Sequence, residues 1–591
     1  MGPTINERKQ VTDGRSSSRP VSFAATLRML REHPNALLGT IVFAGVIAFW
    51  IWRIQKGVDL SDESYYVSLP LRFALGDRPF LDERSSVQGS GLIELPFVAF
   101  YHLIVRSNDG LMLFMRLLYL TFLTAIGVGL ANAVRGWISR GAALACGALT
   151  CFYVPYCIYQ MSYNSLGGGL AMLAGLTVLR LGRSEGMTAQ AASRYAMFAG
   201  VCVAASTLAY PTLMPLAAVH AVTIVLFGRR PLGWWRVLGY YVLGGGFVCL
   251  YVCLFLLRSG FGSLKLTIDF VRAWGPTLTG ELSQVPTAIE RFKNDWVTAF
   301  LVAGVLAGFA RRFKLVVFLL AIYVPTLAMP AARDDTGSSV RYFTCLALFA
   351  PLFALLVEDK RRAFHVLATV WAPGVVTGTL TGISSGNGGI ASGLGGFAGL
   401  LAGAVLACRA CEEAVGRWRG VFGWTSIAAP IAVLSCLVKL ASAENAVYRE
   451  AKLEKLTEKV RVGPFKGLKT TPEHRKLVEQ MHTDIVQHAG GGRFGLFMPD
   501  MPSAYLSANV RGAVAETWLG KIPKRNEINA ALFRAHSAEI GIVGIRLCGA
   551  EYWRCRAPDP ATQTDNPVYR AISETHAVVL KRDDYLLLKP R

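Results

Sequence analysis

The chain has 591 residues, of which 53% are hydrophobic and only 17% are charged, and its formal net charge is +22. So low a charged fraction over so long a chain excludes an ordinary soluble enzyme and is typical of a polytopic membrane protein. The charged residues are clustered, so the apolar runs between the clusters are interpreted as membrane spans.

Thirteen apolar runs are long enough to cross about 30 Å of hydrocarbon. In chain order they are residues 36–53, 111–132, 141–158, 166–182, 195–209, 212–228, 236–257, 296–310, 315–330, 342–357, 364–382, 393–408 and 421–441. The predicted organisation is therefore an N-terminal arm at 1–35, a transmembrane module at 36–441 and a C-terminal domain at 442–591.

The distribution of Lys and Arg gives the orientation, because short cytoplasmic loops carry the excess of positive charge. With the N-terminus inside, the inside segments hold 23 Lys/Arg and 8 acidic residues, whereas the rest of the chain before residue 442 holds 15 and 14. An odd number of spans then places the C-terminal domain outside. The net charge is mostly this topology signal, so no nucleic-acid partner is predicted.

The first span follows a polar, Ser/Arg-rich arm and lacks a small-residue cleavage site after it, so it is interpreted as a retained helix and not as a signal peptide. A bacterial inner membrane is expected, with a cytoplasmic N-terminus and a periplasmic C-terminal domain. Cys548 and Cys555, in "CGAEYWRC", are predicted to form a disulfide in that oxidising compartment. Two unpaired thiols are the alternative.

Two outside loops, 54–110 and 258–295, mix apolar and charged residues at roughly helical spacing. This pattern predicts short helices that lie along the membrane surface and together cover a cavity over the bundle. The small residues of "GVVTGTLTGISSGNGGIASGLGGFAGLLAGA", 374–404, predict closely packed helices.

The C-terminal domain opens with "AENAVYREAKLEKLTEKV", which is predicted to form a helical stalk. Helical and strand patterns alternate after it, which indicates a small α/β domain. It contains no nucleophile elbow, no P-loop and no spaced Cys/His ligands. A supporting or recognition domain is therefore expected.

The stretch "VDLSDESYY", 58–66, places acids just after the first span. In one interpretation Ser61 caps a helix and Asp62 and Glu63 lie in its first turn, where the helix dipole favours negative charge. In the other, a carboxylate in a covered cavity has a raised pKa and takes a proton from an acceptor hydroxyl. Consecutive helical side chains point about 100° apart, so Asp62 and Glu63 are expected to do different things.

Five motifs together resemble a known family: "DESYY", "GDRPFLDE", "QGSGLIELPFVAFYHLI", "NDGLMLFMRLLYL" and "MSYNSLGGGL". They resemble the C-type (GT-C) fold glycosyltransferases, in particular the bacterial relatives of protein O-mannosyltransferases and of the lipid A aminoarabinose transferase. The similarity covers about residues 36–260. Oligosaccharyltransferase catalytic subunits share the outline of thirteen spans and an outside C-terminal domain. The resemblance implies a polytopic α-helical protein of GT-C type with a C-terminal α/β periplasmic domain.

The resemblance implies that Asp62 is the catalytic base, with Glu63 beside it. Tyr65, or Tyr66 next to it, stands where relatives often carry a substrate-binding Tyr. Glu94 lies near the position of a second loop acid, although the chain lacks the Glu-Lys-Pro-Pro pattern of the aminoarabinose transferases. The donor implied is a sugar on a polyprenyl phosphate, and the acceptor hydroxyl belongs to a lipid, a polysaccharide or a protein.

Displacement at the sugar C1 also needs cations for the departing phosphate, and Arg binds two phosphate oxygens at once. The candidates at outside span ends are Arg116, which matches an Arg in relatives, and Arg333 and Arg341 in "ARDDTGSSVRYF". The alternatives are snorkelling for Arg116 and solvation beside Asp334 and Asp335 for the other two.

Tyr163 and Asn164 in "SYNSLGG" face outside in this topology and are candidates for binding a sugar hydroxyl or the acceptor. In the alternative, Asn164 or Ser165 is the N-cap of the next helix. No cofactor is expected. A divalent cation is not required by any motif, and the pairs Asp334-Asp335 and Asp82-Glu83 are its candidate ligands.

The function predicted is an inner-membrane glycosyltransferase that inverts the anomeric carbon of its donor. Its rival is a transporter or lipid flippase, which would show charged residues near the bilayer midplane and broken helices in two related halves. The acids gather at outer span ends and no clear internal repeat is found, which disfavours the rival. A third alternative is a non-catalytic scaffold that displays the C-terminal domain.

Overall fold

The computed structural model describes residues 34–182, 187–227, 232–273, 347, 349–385, 391–416, 447–490, 492–516, 523–547 and 565–591. The helices before the C-terminal domain are α1 Pro34–Arg53, α2 Asp62–Ala74, α3 Gln88–Val105, α4 Leu111–Val134, α5 Arg140–Leu149, α6 Tyr163–Leu181, α7 Ala189–Ala209, α8 Leu216–Phe227, α9 Trp234–Ser259, α10 Gly262–Arg272, α11 Phe349–Leu356, α12 Lys360–Val366, α13 Ala372–Ser384 and α14 Gly393–Gly416. A π-helical turn, Leu367–Trp371, joins α12 to α13.

Within the described residues, six helical stretches are long and apolar enough to cross a membrane. They are Ala36–Arg53, Leu111–Val134, Ala189–Ala209, Trp234–Ser259, Lys360–Ser384 and Gly393–Glu413. The stretches Arg140–Phe152 and Pro211–Phe227 are apolar but shorter. The predicted spans 296–310, 315–330 and 421–441 lie outside the described residues, so the total of thirteen stays a prediction.

Small residues let the helices of the bundle approach closely, as the sequence predicts for 374–404. A Cβ built on Gly395 of α14 would lie 1.9 Å from the carbonyl oxygen of Gly374 on α13. A Cβ built on Gly200 of α7 would likewise lie 1.9 Å from the carbonyl oxygen of Tyr241 on α9. Because real Cβ atoms do not come so near a carbonyl, these helix pairs require glycine at the contact.

The C-terminal domain contains a five-stranded mixed sheet. Its elements are the short strands β1 Glu458–Lys459 and β2 Lys469–Thr470, helix α15 Pro472–His488, strand β3 Phe494–Met498, helix α16 Ser503–Ala508, strand β4 Arg511–Gly512, helix α17 Pro523–His536, strand β5 Ile540–Arg546, helix α18 Pro567–Thr575 and strands β6 His576–Lys581 and β7 Tyr585–Pro590. The sheet order is β4-β3-β5-β7-β6, with β4, β3 and β5 parallel and β7 antiparallel to both of its neighbours.

This domain confirms the predicted alternation of helices and strands after residue 471. The predicted helical stalk is wrong in its described part. Residues 447–452 form turns and irregular backbone, and only a 3₁₀ turn at Leu453–Lys455 precedes β1. The reason is tertiary, because the side chains of Tyr448, Arg449 and Glu450 bond to the loop after α1.

The loop of residues 54–110 contains two helices, α2 and α3, and buried ion pairs fasten it to the C-terminal sheet. The Arg72 guanidinium lies 2.7 Å from Asp77 and 2.8 Å from Glu83, and all three side chains are almost fully buried. Arg511 of β4 binds the other oxygen of Asp77 at 2.9 Å and reaches Asp82 at 2.8 Å. The loop and the sheet therefore share one network of charges.

Asp77→Asn should lower the free energy of unfolding by about 3 kcal/mol, because Arg72 and Arg511 both lose a charged partner and Arg72 stays buried. Thermal unfolding of the detergent-solubilised full chain measures the effect. Glu574→Gln is the control, since its ion pair with Arg534 is about half exposed and its removal should change stability little. Equal stability of the two variants would show that the network does not hold the loop.

Candidate active site

Helix α2 begins at Asp62, and the carboxylate of Asp59 caps its amino end. Asp59 Oδ1 accepts hydrogen bonds from the backbone N–H and the hydroxyl of Ser61, at 3.1 and 2.9 Å, and Oδ2 accepts from the backbone N–H of Glu63 at 2.8 Å. Ser61 occupies the N-cap position, as predicted, but its side chain makes no capping bond. The sequence identified the right position but missed the group that caps it.

One oxygen of the Asp62 carboxylate is held by the protein. The Tyr448 hydroxyl donates to Oδ2, and a nitrogen of the Arg449 guanidinium lies 3.1 Å from the same oxygen. In the part of the chain that the structure describes, Oδ1 receives no hydrogen bond. The side chain keeps 16% of its exposure. Asp62 is thus oriented through Oδ2, and its Oδ1 keeps its capacity to accept a hydrogen bond.

The surroundings of Asp62 give it the basicity of a proton acceptor. Burial raises the pKa of Asp62 to about 6, and the negative charge of Asp59 adds to the rise. Arg449 and the hydrogen bond from Tyr448 act in the opposite direction. A carboxylate with this pKa is mostly ionised at neutral pH and is a stronger base than an ordinary Asp, as general-base catalysis requires.

Glu63, the next residue, forms a buried ion pair with Arg116 of α4. Arg116 Nε lies 2.6 Å from one carboxylate oxygen and Nη2 lies 2.5 Å from the other, and each side chain is only 3% exposed. Burial raises the pKa of Glu63, and Arg116 opposes the rise. Adjacent acids therefore have different partners, as their angular separation on the helix predicts.

The remaining N–H groups of Arg116 bind backbone carbonyls at the end of the first helix. Nη1 donates to Ile54 at 2.7 Å and to Lys56 at 3.4 Å, and Nη2 donates to Gly57 at 3.0 Å. All five N–H groups of the guanidinium thus have acceptors within the protein. Arg116 was predicted to bind the donor phosphate, and in this geometry Glu63 and three backbone carbonyls engage all of its N–H groups.

A row of aromatic rings begins beside Asp62. The centroids of Tyr66 and Tyr163 lie 5.9 Å apart, and those of Tyr163 and Tyr210 lie 5.4 Å apart. Burial raises the pKa of Tyr66, with smaller contributions from Tyr163 and Asp62. Tyr163, which is half-buried, therefore lies near Asp62, and its role in substrate binding stays a prediction.

Residues 447–450, here called the strap, lie against the start of α2. Glu450 anchors the strap: its Oε2 accepts from the backbone N–H of Val58 at 3.2 Å and from the Thr470 hydroxyl at 2.6 Å, and its Oε1 lies 2.9 Å from His474 Nδ1. The side chains of His474 and Glu450 are both buried. The strap is tied on one side to the loop after α1 and on the other to the C-terminal domain.

The C-terminal sheet turns its carboxyl edge towards the same place. The parallel strands β3 and β5 end at Met498 and Arg546, so their carboxyl ends lie at one edge. Just past β3, the backbone N–H of Ser503 lies 3.4 Å from the carbonyl oxygen of Leu60. In open α/β sheets ligands bind beyond the carboxyl ends of the strands, and here that edge adjoins the loop that carries Asp62.

Two predicted substrate-binding residues lie in closed surroundings. The Tyr65 side chain is fully buried and its hydroxyl donates to Ser85 at 3.3 Å. Glu94 of α3 is fully buried, neither carboxylate oxygen has a hydrogen-bond partner among the described residues, and burial alone raises its pKa far above the ordinary value. Both side chains are therefore closed off from solvent.

Asn164 is buried, and the alternative that it or Ser165 caps α6 is corrected by the structure. Ser162 is the N-cap, and it forms a reciprocal capping box with Ser165. Asp82 and Glu83, named as candidate metal ligands, are engaged by the arginines of the loop network. The remaining candidates lie outside the described residues: Arg333, Arg341, Asp334, Asp335, Cys548 and Cys555.

Four residues at the site were missed from the sequence: Asp59, Tyr448, Arg449 and Glu450. Asp59 precedes a helix start by three positions, which is a capping signal, so the sequence offered a clue to it. The other three lie just after the transmembrane module. They are between 386 and 392 positions along the chain from the residues that they contact. A single sequence carries no signal for such a contact.

Comparison with known proteins found structural similarity and no sequence match. No protein-family model matches the chain, and a search of the curated proteins found no match. An archaeal oligosaccharyltransferase from Archaeoglobus fulgidus, solved in complex with an inhibitory peptide and a dolichol-phosphate, is similar with a TM-score of 0.44 and 12% identity over 88% of this chain and 70% of that one. An Archaeoglobus fulgidus oligosaccharyltransferase in the apo form is similar with a TM-score of 0.46 and 11% identity, over 86% and 69%.

Because both TM-scores are below 0.5, these similarities carry no conclusion about the chemistry of this protein. A function for this protein therefore has to rest on the residues of its own chain.

Glu63→Gln should lower the free energy of unfolding by about 3 kcal/mol, since the Arg116 charge would remain buried without its counter-charge. Asp62→Asn should cost much less, because Asp62 is partly exposed and Arg449, its charged partner, can reach water. Thermal unfolding monitored by tryptophan fluorescence compares the two. If Asp62→Asn lowered the free energy of unfolding more than Glu63→Gln did, Asp62 and not Glu63 would be the acid on which the fold depends.

Proposed function

We propose that this protein is a membrane glycosyltransferase that moves a hexosyl or pentosyl group from a polyprenyl-phosphate donor to an acceptor hydroxyl. The reaction takes place on the periplasmic side of a bacterial inner membrane and inverts the anomeric carbon. The acceptor is a lipid, a polysaccharide or a protein.

One observation carries the proposal: Asp62 is partly exposed, oriented through one oxygen only, and has a pKa of about 6. It lies in the loop that follows the candidate span Ala36–Arg53. A lipid-linked sugar presents C1 at the same level, where hydrocarbon meets water. A base at this height is useful to an enzyme whose donor stays in the membrane.

The proposed reaction is a single in-line displacement. Oδ1 of Asp62 accepts the proton of the acceptor hydroxyl while that oxygen forms a bond to the sugar C1. The bond between C1 and the phosphate oxygen breaks, and the electron pair leaves with the polyprenyl phosphate. Attack from the face opposite the leaving group inverts the anomeric configuration. Tyr163, at the aromatic row, is suited to contact a sugar ring, and Arg333 and Arg341 remain candidates for holding the phosphate.

The proposal gives Glu63 and Arg116 no contact with substrate. Their ion pair sets the position of the first turn of α2, and with it the direction of the Asp62 side chain. No step of the reaction requires a metal ion. A proton acceptor and cationic groups near the phosphate supply the charge stabilisation that the displacement needs.

Asp62→Asn should reduce sugar transfer by roughly 10²- to 10⁴-fold, which is the usual contribution of a general base. The assay presents labelled polyprenyl-phosphate sugars to native membrane acceptors and compares variants at equal amounts of folded protein. Asp269→Asn is the matched control: this acid of the second outside loop forms an exposed pair with Lys265, and its variant should retain full activity.

Full activity of Asp62→Asn would refute the assignment of the base. Donor movement across the bilayer without formation of a glycosylated product would favour the flippase instead. If the protein bound neither donor nor acceptor, the non-catalytic scaffold would be the remaining function. Each outcome thus selects one of the functions considered for this chain.

The pH profile tests the environment of the base in two directions. Asp62 must be ionised to accept a proton, so the rate should rise with pH through its pKa of about 6. Tyr448→Phe removes a hydrogen bond that lowers this pKa, so the rise should move to higher pH. Asp59→Asn removes a negative charge that raises the pKa, so the rise should move to lower pH. Profiles that shift in the same direction would show that the titrating group is not Asp62.

A further inference from the structure

The cation that faces the departing phosphate was assigned from sequence to the membrane module. Arg116 has no N–H left for a phosphate, because Glu63 and three backbone carbonyls accept from all five. Two other cations near the exit of α1 are also occupied. Arg53 is fully buried, with its guanidinium over the ring of Tyr159, and the Lys56 ammonium donates to the carbonyl of Leu456.

Arg449 of the strap is different, because it combines proximity to the base with exposure. One of its terminal nitrogens lies 3.1 Å from Asp62 Oδ2, and its side chain retains 44% exposure. Its other terminal nitrogen donates to the Ser61 hydroxyl. Within the described residues these contacts use two of its five N–H groups, so the guanidinium can also meet a ligand.

The backbone at Arg449 is built to hold this position. Its φ of 49° lies in the left-handed region, which a non-glycine residue seldom adopts. The bond from Tyr448 to Asp62 on one side and the buried Glu450 on the other keep it there. A conformation that costs free energy and is maintained by its neighbours is common where a side chain must be aimed at a ligand.

A second guanidinium, that of Arg546, lies near Arg449. Arg546, the last residue of β5, is mostly buried and is close enough to Arg449 for the two charges to repel. Burial lowers the pKa of Arg546 to about 10. The carboxylates of Asp59 and Asp500 act on both arginines with the opposite sign. The exposed guanidinium of Arg449, beside the partly exposed carboxylate of Asp62, is suited to bind an anion that arrives next to the base.

We propose that Arg449 binds the phosphate of the polyprenyl-phosphate donor, so that the C-terminal strap contributes a phosphate-binding residue to the catalytic site. This inference rests on the proposed function and identifies its phosphate-binding residue. As the bond from C1 to the phosphate oxygen breaks, the guanidinium neutralises the charge that the phosphate gains. When Arg449 turns towards the phosphate it withdraws charge compensation from Asp62, which becomes a stronger base while the donor is bound.

Binding of a polyprenyl phosphate without a sugar tests the inference and does not require turnover. The full chain in detergent is titrated with a polyprenyl phosphate and, separately, with the corresponding polyprenol, which lacks the phosphate. The wild type should prefer the phosphate. Arg449→Gln should weaken phosphate binding at least tenfold and leave polyprenol binding unchanged, and Arg449→Lys should lie between the two. Arg534→Gln, which removes another positive charge from the same domain, should bind as the wild type does.

A purely structural role for Arg449 predicts a different pattern. If the residue only holds Asp62, Arg449→Gln would change the pH profile of transfer and leave phosphate binding at the wild-type level, and the inference would be overturned. Asp62→Asn separates the two roles further. It should tighten phosphate binding, because it releases Arg449 from a competing carboxylate, and this gain should vanish when Arg449→Gln is added.

The binding assay and the transfer assay test different claims, so either claim can fail while the other holds. Transfer that needs Asp62, together with normal phosphate binding by Arg449→Gln, would preserve the proposed function and remove Arg449 from it. A wild type that binds polyprenyl phosphate no better than polyprenol would overturn the inference directly. Arg449-dependent phosphate binding without any transfer would support the phosphate site and count against the enzyme.

Discussion

A positive charge buried where helix α1 ends is the constraint on which the site depends. The Arg116 guanidinium is out of water, so it needs acceptors for all five N–H groups, and an isolated charge there would be very costly. Glu63 and the carbonyls of Ile54, Lys56 and Gly57 provide them. One side chain of α4 thereby joins the end of α1 to the start of α2 and determines where the acids of the loop can point.

Three acids within five positions acquire three functions from their surroundings. Asp59 accepts backbone N–H bonds and caps the helix. Glu63 neutralises a buried arginine. Asp62 is held by one oxygen and keeps a pKa near neutrality through burial and the charge of Asp59. The first two fix the backbone that carries Asp62, and Asp59 also raises its pKa.

The C-terminal domain takes part in the site and does not simply follow the bundle. Buried pairs of Arg511 with Asp77 and Asp82 join its sheet to the first outside loop, and Glu450 joins the strap to both. Tyr448 and Arg449 can therefore lie against Asp62. In the proposed enzyme, the proton acceptor lies on one segment and the groups that tune its pKa lie on another.

The sequence by itself determined the features that depend on local periodicity and charge: the apolar helices, the two loop helices, the order of elements in the C-terminal domain, and Asp62 and Glu63 as acids that face different ways. Only the tertiary structure decided which partner each acid has. It moved Arg116 from phosphate binding to an internal ion pair, enclosed Tyr65 and Glu94, replaced a predicted stalk by the strap, and brought Arg449 to Asp62. Helical and strand patterns repeat within a few residues, whereas the contacts of the strap join segments that are about 400 residues apart, and their free energy exists only when both are packed together.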